Sequence, residues 1–186
     1  TLSCIPGKSV SMNLPEMELW TPENPIHYDL ELKILRKDKI IDEVKGYFGM
    51  RKTSLGKDEK GITRMFLNNE FVFQNGPLDQ GFWPDGLYTP PTEEAMLYDL
   101  RILKEMGFNM IRKHVKVENR RFYYWTDKMG FLVWQDMPNG YYARKNEDID
   151  NDLEHKEQFE NELKELVYSL DNHPSIVMWV PFNESW

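Results

Sequence analysis

The chain has 186 residues and a formal net charge of -8 at pH 7, from 23 Lys or Arg against 31 Asp or Glu. This acidic balance disfavours a protein that binds nucleic-acid phosphates, because such binding needs a basic face. Hydrophobic residues make up 40% of the chain, enough for a buried core, and the one cysteine, Cys4, excludes an internal disulfide. The longest apolar runs, residues 131–134 and 176–180, are too short to cross a bilayer, so we expect no membrane contact.

The first fifty residues have the pattern of strands. Residues 31–35 alternate polar and apolar side chains, which predicts a half-buried strand, and residues 40–48 can return beside it after a charged turn. This predicts part of an antiparallel sandwich, since a complete one needs about 100 residues. Residues 53–61 are polar and contain glycine, which predicts a domain boundary or an exposed hairpin tip. We therefore divide the chain into residues 1–60 and 61–186.

Strand character resumes at residues 66–73, and a long segment with three Gly and four Pro follows over residues 75–91. A stiff loop of this length within a compact unit is more often functional than accidental.

From Thr92 onward the pattern alternates between helix and strand. Thr92 is a suitable N-cap, and Gly107 and Gly130 are suitable helix stops. The spacing of apolar residues predicts three helices, the last over residues 153–170. The predicted strands are residues 71–74, 108–115, 131–137 and 176–180.

Four apolar strands alternating with three helices predict a parallel sheet covered by helices. This fits half of a (β/α)8 TIM barrel, which typically needs about 250 residues. An open doubly wound sheet is the alternative, although no Gly-x-Gly-x-x-Gly turn follows the first strand.

Polar residues follow three of these strands, where the active sites of parallel α/β folds form. They are Arg112, Lys113 and His114, then Gln135 and Asp136, and finally Asn183 and Glu184. The same residue types are common in any strand-to-helix turn. We favour that structural interpretation for Lys113 and Gln135, and leave both interpretations open for Asp136.

Glu184 leaves an apolar strand and has Trp179, Phe182 and Trp186 close by in the sequence. A carboxyl group against aromatic side chains loses solvation, which favours its protonated form. The sequence therefore predicts that Glu184 acts as an acid.

These residues carry a family resemblance. Residues 172–179 (NHPSIVMW), followed by Asn183 and Glu184, resemble the acid/base signature of glycoside hydrolase family 2, which includes β-galactosidases, β-glucuronidases and β-mannosidases. Four further stretches resemble parts of that family in the same order: two from its immunoglobulin-like domain, residues 19–25 and 48–51, and two from barrel strands, residues 107–112 and 127–134.

The resemblance implies a retaining β-glycosidase, here β-galactosidase-like, that acts in carbohydrate catabolism. Glu184 would be the general acid/base, Asn183 would bind the sugar 2-hydroxyl, and Arg112 would order the site. The family's nucleophile is a second glutamate on the seventh strand, beyond Trp186. The resemblance thus implies a fragment, with residues 1–60 from the immunoglobulin-like β-sandwich and residues 61–186 forming the first half of the barrel. We expect this fragment to be inactive alone and to self-associate through its exposed barrel edges.

The chain departs from the family pattern in two places. Residues 73–79 lack the histidine that often follows the first barrel strand, and His114 comes one residue early after the second. His114 is therefore either a pocket residue or a structural one, and the sugar is undetermined. In the long loop, Phe82, Trp83 and Tyr88 could stack on sugar faces, or Trp83 could plug the barrel mouth.

The expected substrate is a carbohydrate, and the residues expected to bind it are Asn183, Arg112, His114, Asp136, Trp83 and Trp186. No residue spacing fits a metal site, so we expect no metal and no cofactor. Export to the periplasm or medium is favoured over a cytoplasmic location. The competing hypotheses are a carbohydrate-binding protein that keeps the fold without hydrolysis, and an open-sheet α/β protein with an unrelated ligand.

Overall fold

Three β-sheets follow one another along the part of the chain that the computed structural model describes, which is residues 2–139 and 153–184. The strands are β1 (Tyr28–Arg36), β2 (Lys39–Phe48), β3 (Thr53–Lys57), β4 (Thr63–Leu67), β5 (Glu70–Phe71), β6 (Leu78–Asp79), β7 (Met110–Lys113), β8 (Leu132–Asp136) and β9 (Ile176–Val180). The helices are α1 (Glu93–Glu105), α2 (Arg120–Met129) and α3 (Leu153–Leu170).

The first sheet is an antiparallel hairpin of β1 and β2, closed by Lys37 and Asp38. Both turn residues have positive φ, 50° and 63°, as a tight hairpin turn requires. The predicted strands are confirmed, but the predicted half-burial of residues 31–35 is wrong. Leu32 and Ile34 are more than half exposed, because no second sheet covers this hairpin within the described residues.

The second sheet joins β3, β4 and β5 in antiparallel order. The hairpin tip, one of the two alternatives for residues 53–61, is present: β3 runs into a turn in which Asp58 Oδ1 accepts from the amides of Lys60 and Ile62, each at 2.9 Å. An aspartate that satisfies two backbone amides stabilises such a turn. The domain boundary at this point stays a prediction.

The third sheet is parallel, in the order β6-β7-β8-β9. The prediction that residues 71–74 form its first strand is wrong, since Phe71 pairs with antiparallel β4. The first strand is instead β6, inside the Pro- and Gly-rich segment. Gly76 allows this approach, because a Cβ there would lie 1.6 Å from the carbonyl oxygen of Met110.

Helix boundaries follow the predicted caps. The Thr92 hydroxyl accepts from the amide of Ala95 at 3.1 Å and starts α1, and Gly107 follows its end with φ +85°. Gly130 ends α2 in the left-handed conformation, φ +69°. The four parallel strands and three helices expected after residue 70 are thus confirmed in number.

The main core lies between the parallel sheet and its helices. Its buried residues are Met96, Leu100, Ile111, Phe122, Tyr123, Phe131, Val133, Met137, Leu166, Leu170 and Ile176. No helix within the described residues is both long and apolar enough to span a membrane.

A buried polar network joins the β1–β2 hairpin to the amino-terminal end of the parallel strands. The carboxylate of Asp127 accepts from the Tyr47 hydroxyl at 2.7 Å and from the Ser175 amide at 2.9 Å, and it lies 2.6 Å from His173 Nδ1. Beside it, the Trp20 indole is fully buried and donates to the Asp127 carbonyl at 2.9 Å. The opposite, carboxyl-terminal end of the strands is therefore the one left open for a site.

Candidate functional site

The carboxyl ends of β7, β8 and β9 bring three of the predicted site residues together. The guanidinium of Arg112 binds Asp136 in a bidentate manner, with Nε 3.0 Å from Oδ1 and Nη2 2.9 Å from Oδ2. Nη2 also donates to Asn183 Oδ1 at 2.9 Å. Arg112 therefore connects three neighbouring strand ends through one planar group, as its fixed fork of donors permits.

Asp136 is fully buried, yet its charge is balanced. Besides the two bonds from Arg112, its Oδ2 accepts from the amide of Val115 at 3.3 Å. A buried carboxylate is costly unless it is paired and hydrogen-bonded, and here both conditions are met. This arrangement makes Asp136 an anchor for Arg112.

Asn183 is held from two sides. Its side-chain oxygen accepts from Arg112, and its backbone carbonyl accepts from Asn139 Nδ2 at 3.1 Å. The next residue, Glu184, has φ +52°, a left-handed conformation that non-glycine residues seldom adopt. The chain thus turns sharply just where the predicted acid lies.

The predicted aromatic enclosure of Glu184 is absent from the described residues. Its side chain is exposed, and Phe182 stacks instead on Phe159 of α3, with ring centroids 5.3 Å apart. Phe182 therefore does not enclose Glu184, because it contacts the helix that covers the sheet. Trp186, expected to bind substrate, lies outside the described residues.

A second cluster lies at the ends of β6 and β7, and sequence reasoning missed it. Lys113, only 1% exposed, has Nζ 2.8 Å from Asp79 Oδ2 and 2.7 Å from Glu118 Oε1. Lys116 is also buried and binds the same Glu118 oxygen at 2.7 Å. The interpretation of Lys113 as a solvated loop residue is wrong, because two carboxylates compensate its burial.

Gln135 was likewise expected in a solvated turn and is instead fully buried. Its Oε1 accepts from the Tyr123 hydroxyl at 2.6 Å, and its Nε2 donates to the carbonyls of Lys116 and Asp136 at 2.7 and 2.8 Å. Gln135 therefore braces the strand end from beneath the site.

His114 and Trp83, both predicted to bind substrate, flank this edge. His114 Nδ1 lies 3.4 Å from Gln80 Nε2, on the side of the long loop, and both interpretations of the histidine stay open. Trp83 is partly buried and packs against the main core, as the plug interpretation expects. Across the described residues, no three His, Cys, Asp or Glu side chains are grouped as metal ligands.

Two family models match the chain. Glycosyl hydrolases family 2 matches residues 3–51, and Glycosyl hydrolases family 2, TIM barrel domain, matches residues 91–186, more than half of the chain. The predicted fold class is thereby confirmed: strands of an immunoglobulin-like sandwich precede the first four strands of a TIM barrel. The open-sheet alternative is wrong.

Similar proteins are much longer than this chain. A putative beta-glucuronidase from Formosa agariphila is 32% identical over 179 residues, which cover 95% of this chain and 16% of that protein. A beta-galactosidase from Thermoanaerobacterium thermosulfurigenes is 27% identical over 175 residues, 93% of this chain and 22% of that protein. The crystal structure of a beta-glycosidase from Bacteroides vulgatus superposes with a TM-score of 0.74 and 28% identity, over 89% of this chain and 21% of that one. The chain thus spans about a fifth of the length of these relatives.

Proposed function

The chain belongs to glycosyl hydrolases family 2, and on that premise we propose that it is part of a retaining β-glycosidase with Glu184 as the general acid/base. The observation that carries this proposal is the contact of Arg112 with both Asp136 and Asn183. It holds Asn183 at the end of the sheet where barrel enzymes bind substrate, which supports a site that includes the adjacent Glu184.

In this mechanism Glu184 first donates its proton to the glycosidic oxygen as the bond to the sugar breaks. It then takes a proton from the water that releases the sugar from the enzyme. The acid step needs a carboxyl shielded from water. Since Glu184 is exposed in the described structure, we propose that the remaining barrel strands cover it in the whole protein.

Retention also needs a second carboxyl about 5–5.5 Å from the first, acting as nucleophile. Asp136 does not suit this role, because its two oxygens are occupied by Arg112 and the Val115 amide. We propose that the nucleophile comes from a later strand of the barrel and that this chain alone is inactive.

Substrate binding would centre on Asn183. Because Arg112 holds its side-chain oxygen, the amide nitrogen is oriented to donate, and we propose that it binds the sugar 2-hydroxyl. Arg112 and Asp136 would act as positioning residues behind it. His114, Trp83 and Trp186 remain proposed contacts with the sugar.

The chain's extent supports the same proposal. The matched region is 95% of this chain but only 16% of the Formosa agariphila relative. We therefore propose that it comprises the end of the immunoglobulin-like domain, with a boundary near residue 60, and the first half of the barrel.

The test uses the full-length protein and four aryl substrates: β-galactoside, β-glucuronide, β-glucoside and β-mannoside. Relatives named beta-glucuronidase and beta-galactosidase make the first two the leading candidates, and we favour the galactoside. Hydrolysis of one substrate by the wild type, lost in Glu184→Gln and kept in the exposed control Glu165→Gln, would support the acid/base role. Full activity of Glu184→Gln would overturn it. Sugar binding without hydrolysis of any substrate would indicate a carbohydrate-binding protein instead.

A further inference from the structure

The loop between β6 and α1 is fixed to the sheet by one buried lysine. Lys116 Nζ donates to the carbonyl of Gly81 at 2.9 Å and to that of Tyr88 at 2.8 Å. These carbonyls lie at the two ends of residues 81–88 of the loop, and the Glu118 carboxylate, 2.7 Å from Nζ, neutralises the lysine. The loop therefore has its base closed by hydrogen bonds to a charged group, which are stronger than neutral ones.

Within the loop the backbone turns back on itself. The amide of Trp83 donates to the carbonyl of Leu87 at 2.7 Å, and the amide of Thr89 donates to the carbonyl of Gly86 at 3.0 Å. The Trp83 side chain points inward and packs against the core. Anchoring at the base and at Trp83 leaves this loop little freedom to rearrange.

Two aromatic rings remain on the outside of this fixed loop. Phe82 is 70% exposed and Tyr88 is 47% exposed, and their ring centroids lie 5.3 Å apart at an angle of 50°. Lys116 Nζ sits 4.3 Å from the centroid of Tyr88, and the Tyr88 hydroxyl lies 3.4 Å from the carbonyl of Val115. The pair is thus held in place by the same lysine that closes the loop.

The pair stands at the same end of the sheet as Glu184 but at the other edge. β6 and β9 are the outer strands of four, so three strand spacings, roughly 14 Å in total, separate them. That distance exceeds one sugar unit. A ring bound at the pair would belong to a different sugar from the one beside the cleaved bond.

We propose that Phe82 and Tyr88 form a platform that binds the apolar face of a pyranose ring, in a sugar unit away from the cleaved bond. This deepens the proposed function and rests on it for the position of the cleaved bond. Rigid aromatic rings lose little conformational freedom on binding, and a fixed loop reduces that cost further. The platform would make the enzyme prefer oligosaccharides over single glycosides.

The platform is tested by binding, independently of hydrolysis, in the full-length Glu184→Gln protein. The probes are β-1,4-galactotriose and a hyaluronan hexasaccharide with terminal glucuronic acid, titrated by calorimetry. Phe82→Ala and Tyr88→Ala each remove one ring. Each variant is expected to bind one of the two probes roughly three- to ten-fold more weakly, the size of an aromatic contact. Tyr88→Phe keeps the ring and should keep the affinity. Tyr168→Ala removes a ring from α3 that is as exposed as Phe82, and it should leave the affinity unchanged.

The platform is overturned if neither probe binds, if both alanine variants bind as tightly as the parent, or if Tyr168→Ala weakens binding equally. Its failure can be told apart from that of the proposed function. If the wild type hydrolyses an aryl glycoside but both alanine variants bind the probes as tightly as the parent, only the platform is refuted. If the wild type hydrolyses no aryl glycoside but Phe82→Ala loses affinity for a probe, the platform is supported and the acid/base role is refuted.

Discussion

Arg112 meets Asp136 with two parallel hydrogen bonds, at 3.0 and 2.9 Å, and the same guanidinium reaches Asn183 at 2.9 Å. The pair joins β7 to β8, and the third contact joins both to the segment after β9. One side chain thus sets the relative positions of three strand ends, and its loss should be felt in both stability and function.

We expect Arg112→Met to lower the free energy of unfolding by about 3 kcal/mol, because the fully buried Asp136 carboxylate would lose its charge partner. Urea denaturation of the chain measures this. The control is Arg121→Met, which removes an exposed arginine paired with Glu93 and should cost less than about 1 kcal/mol. Equal effects in the two variants would show that the buried pair contributes nothing special.

The two left-handed glycines that end helices offer a second comparison. A Cβ at Gly130 would lie 2.2 Å from the Pro22 carbonyl oxygen, whereas one at Gly107 would meet nothing within 4 Å. Gly107→Ala should therefore cost only its backbone strain, about 1 kcal/mol. Gly130→Ala should cost about 2–4 kcal/mol, since the steric clash adds to that strain. Thermal unfolding of the two variants checks this order, and a reversed order would contradict the described contact.

Tyr47 predicts a loss of stability at alkaline pH. Burial, and next the charge of Asp127, raise the pKa of Tyr47 above its ordinary value of 10.0. Above pH 10 the unfolded chain therefore releases a proton that the folded chain retains, so stability falls as pH rises.

Tyr47→Phe removes this effect and also one hydrogen bond, worth about 1 kcal/mol near pH 8. The free energy of unfolding of the wild type, relative to that of the variant, should fall by about 1.4 kcal/mol for each pH unit above 10. Burial raises the pKa of Tyr123 too, so the variant keeps part of the alkaline slope. Urea titrations at pH 8, 10 and 11 give the difference, and a constant difference would refute the argument.

The outer strands of the parallel sheet predict self-association of the 186-residue chain. Within the described residues, β6 and β9 each pair on one side only. Unpaired strand edges favour pairing with another copy. Light scattering over a range of concentrations should show dimers or larger species. A monomer at every concentration would contradict the expectation.

The sequence allowed the fold after Thr92 to be predicted almost completely, because each element there carries its own local signals. Thr92 caps a helix, and Gly107 and Gly130 end helices. Between these residues the spacing of apolar side chains distinguishes helix from strand. β6 escaped prediction for the converse reason. It has two residues inside a segment rich in Pro and Gly, and its existence depends on pairing with Arg112 and Lys113, which lie 34 residues later.

The candidate site shows the same division. That Arg112, Asp136 and Asn183 would meet followed from the rule that parallel strands end together. The burial of Lys113 did not follow, because its partner Asp79 ends the unpredicted strand β6 and its partner Glu118 comes from the loop after β7. A basic run leaving a strand, with a glutamate shortly after it, is the pattern that would have indicated this cluster.

The network around Asp127 has a consequence for how this chain folds. Tyr47 lies 80 residues before Asp127, and His173 lies 46 residues after it. The network is complete only when the hairpin, α2 and the turn before β9 are packed together. Large loops must therefore close, at a cost in chain entropy, before the hydrogen bonds of the network can form. Contacts of such long range slow folding, and they form late or not at all in a partly made chain. The hairpin and the half-barrel are therefore expected to gain and lose their structure in one cooperative step rather than as separate modules.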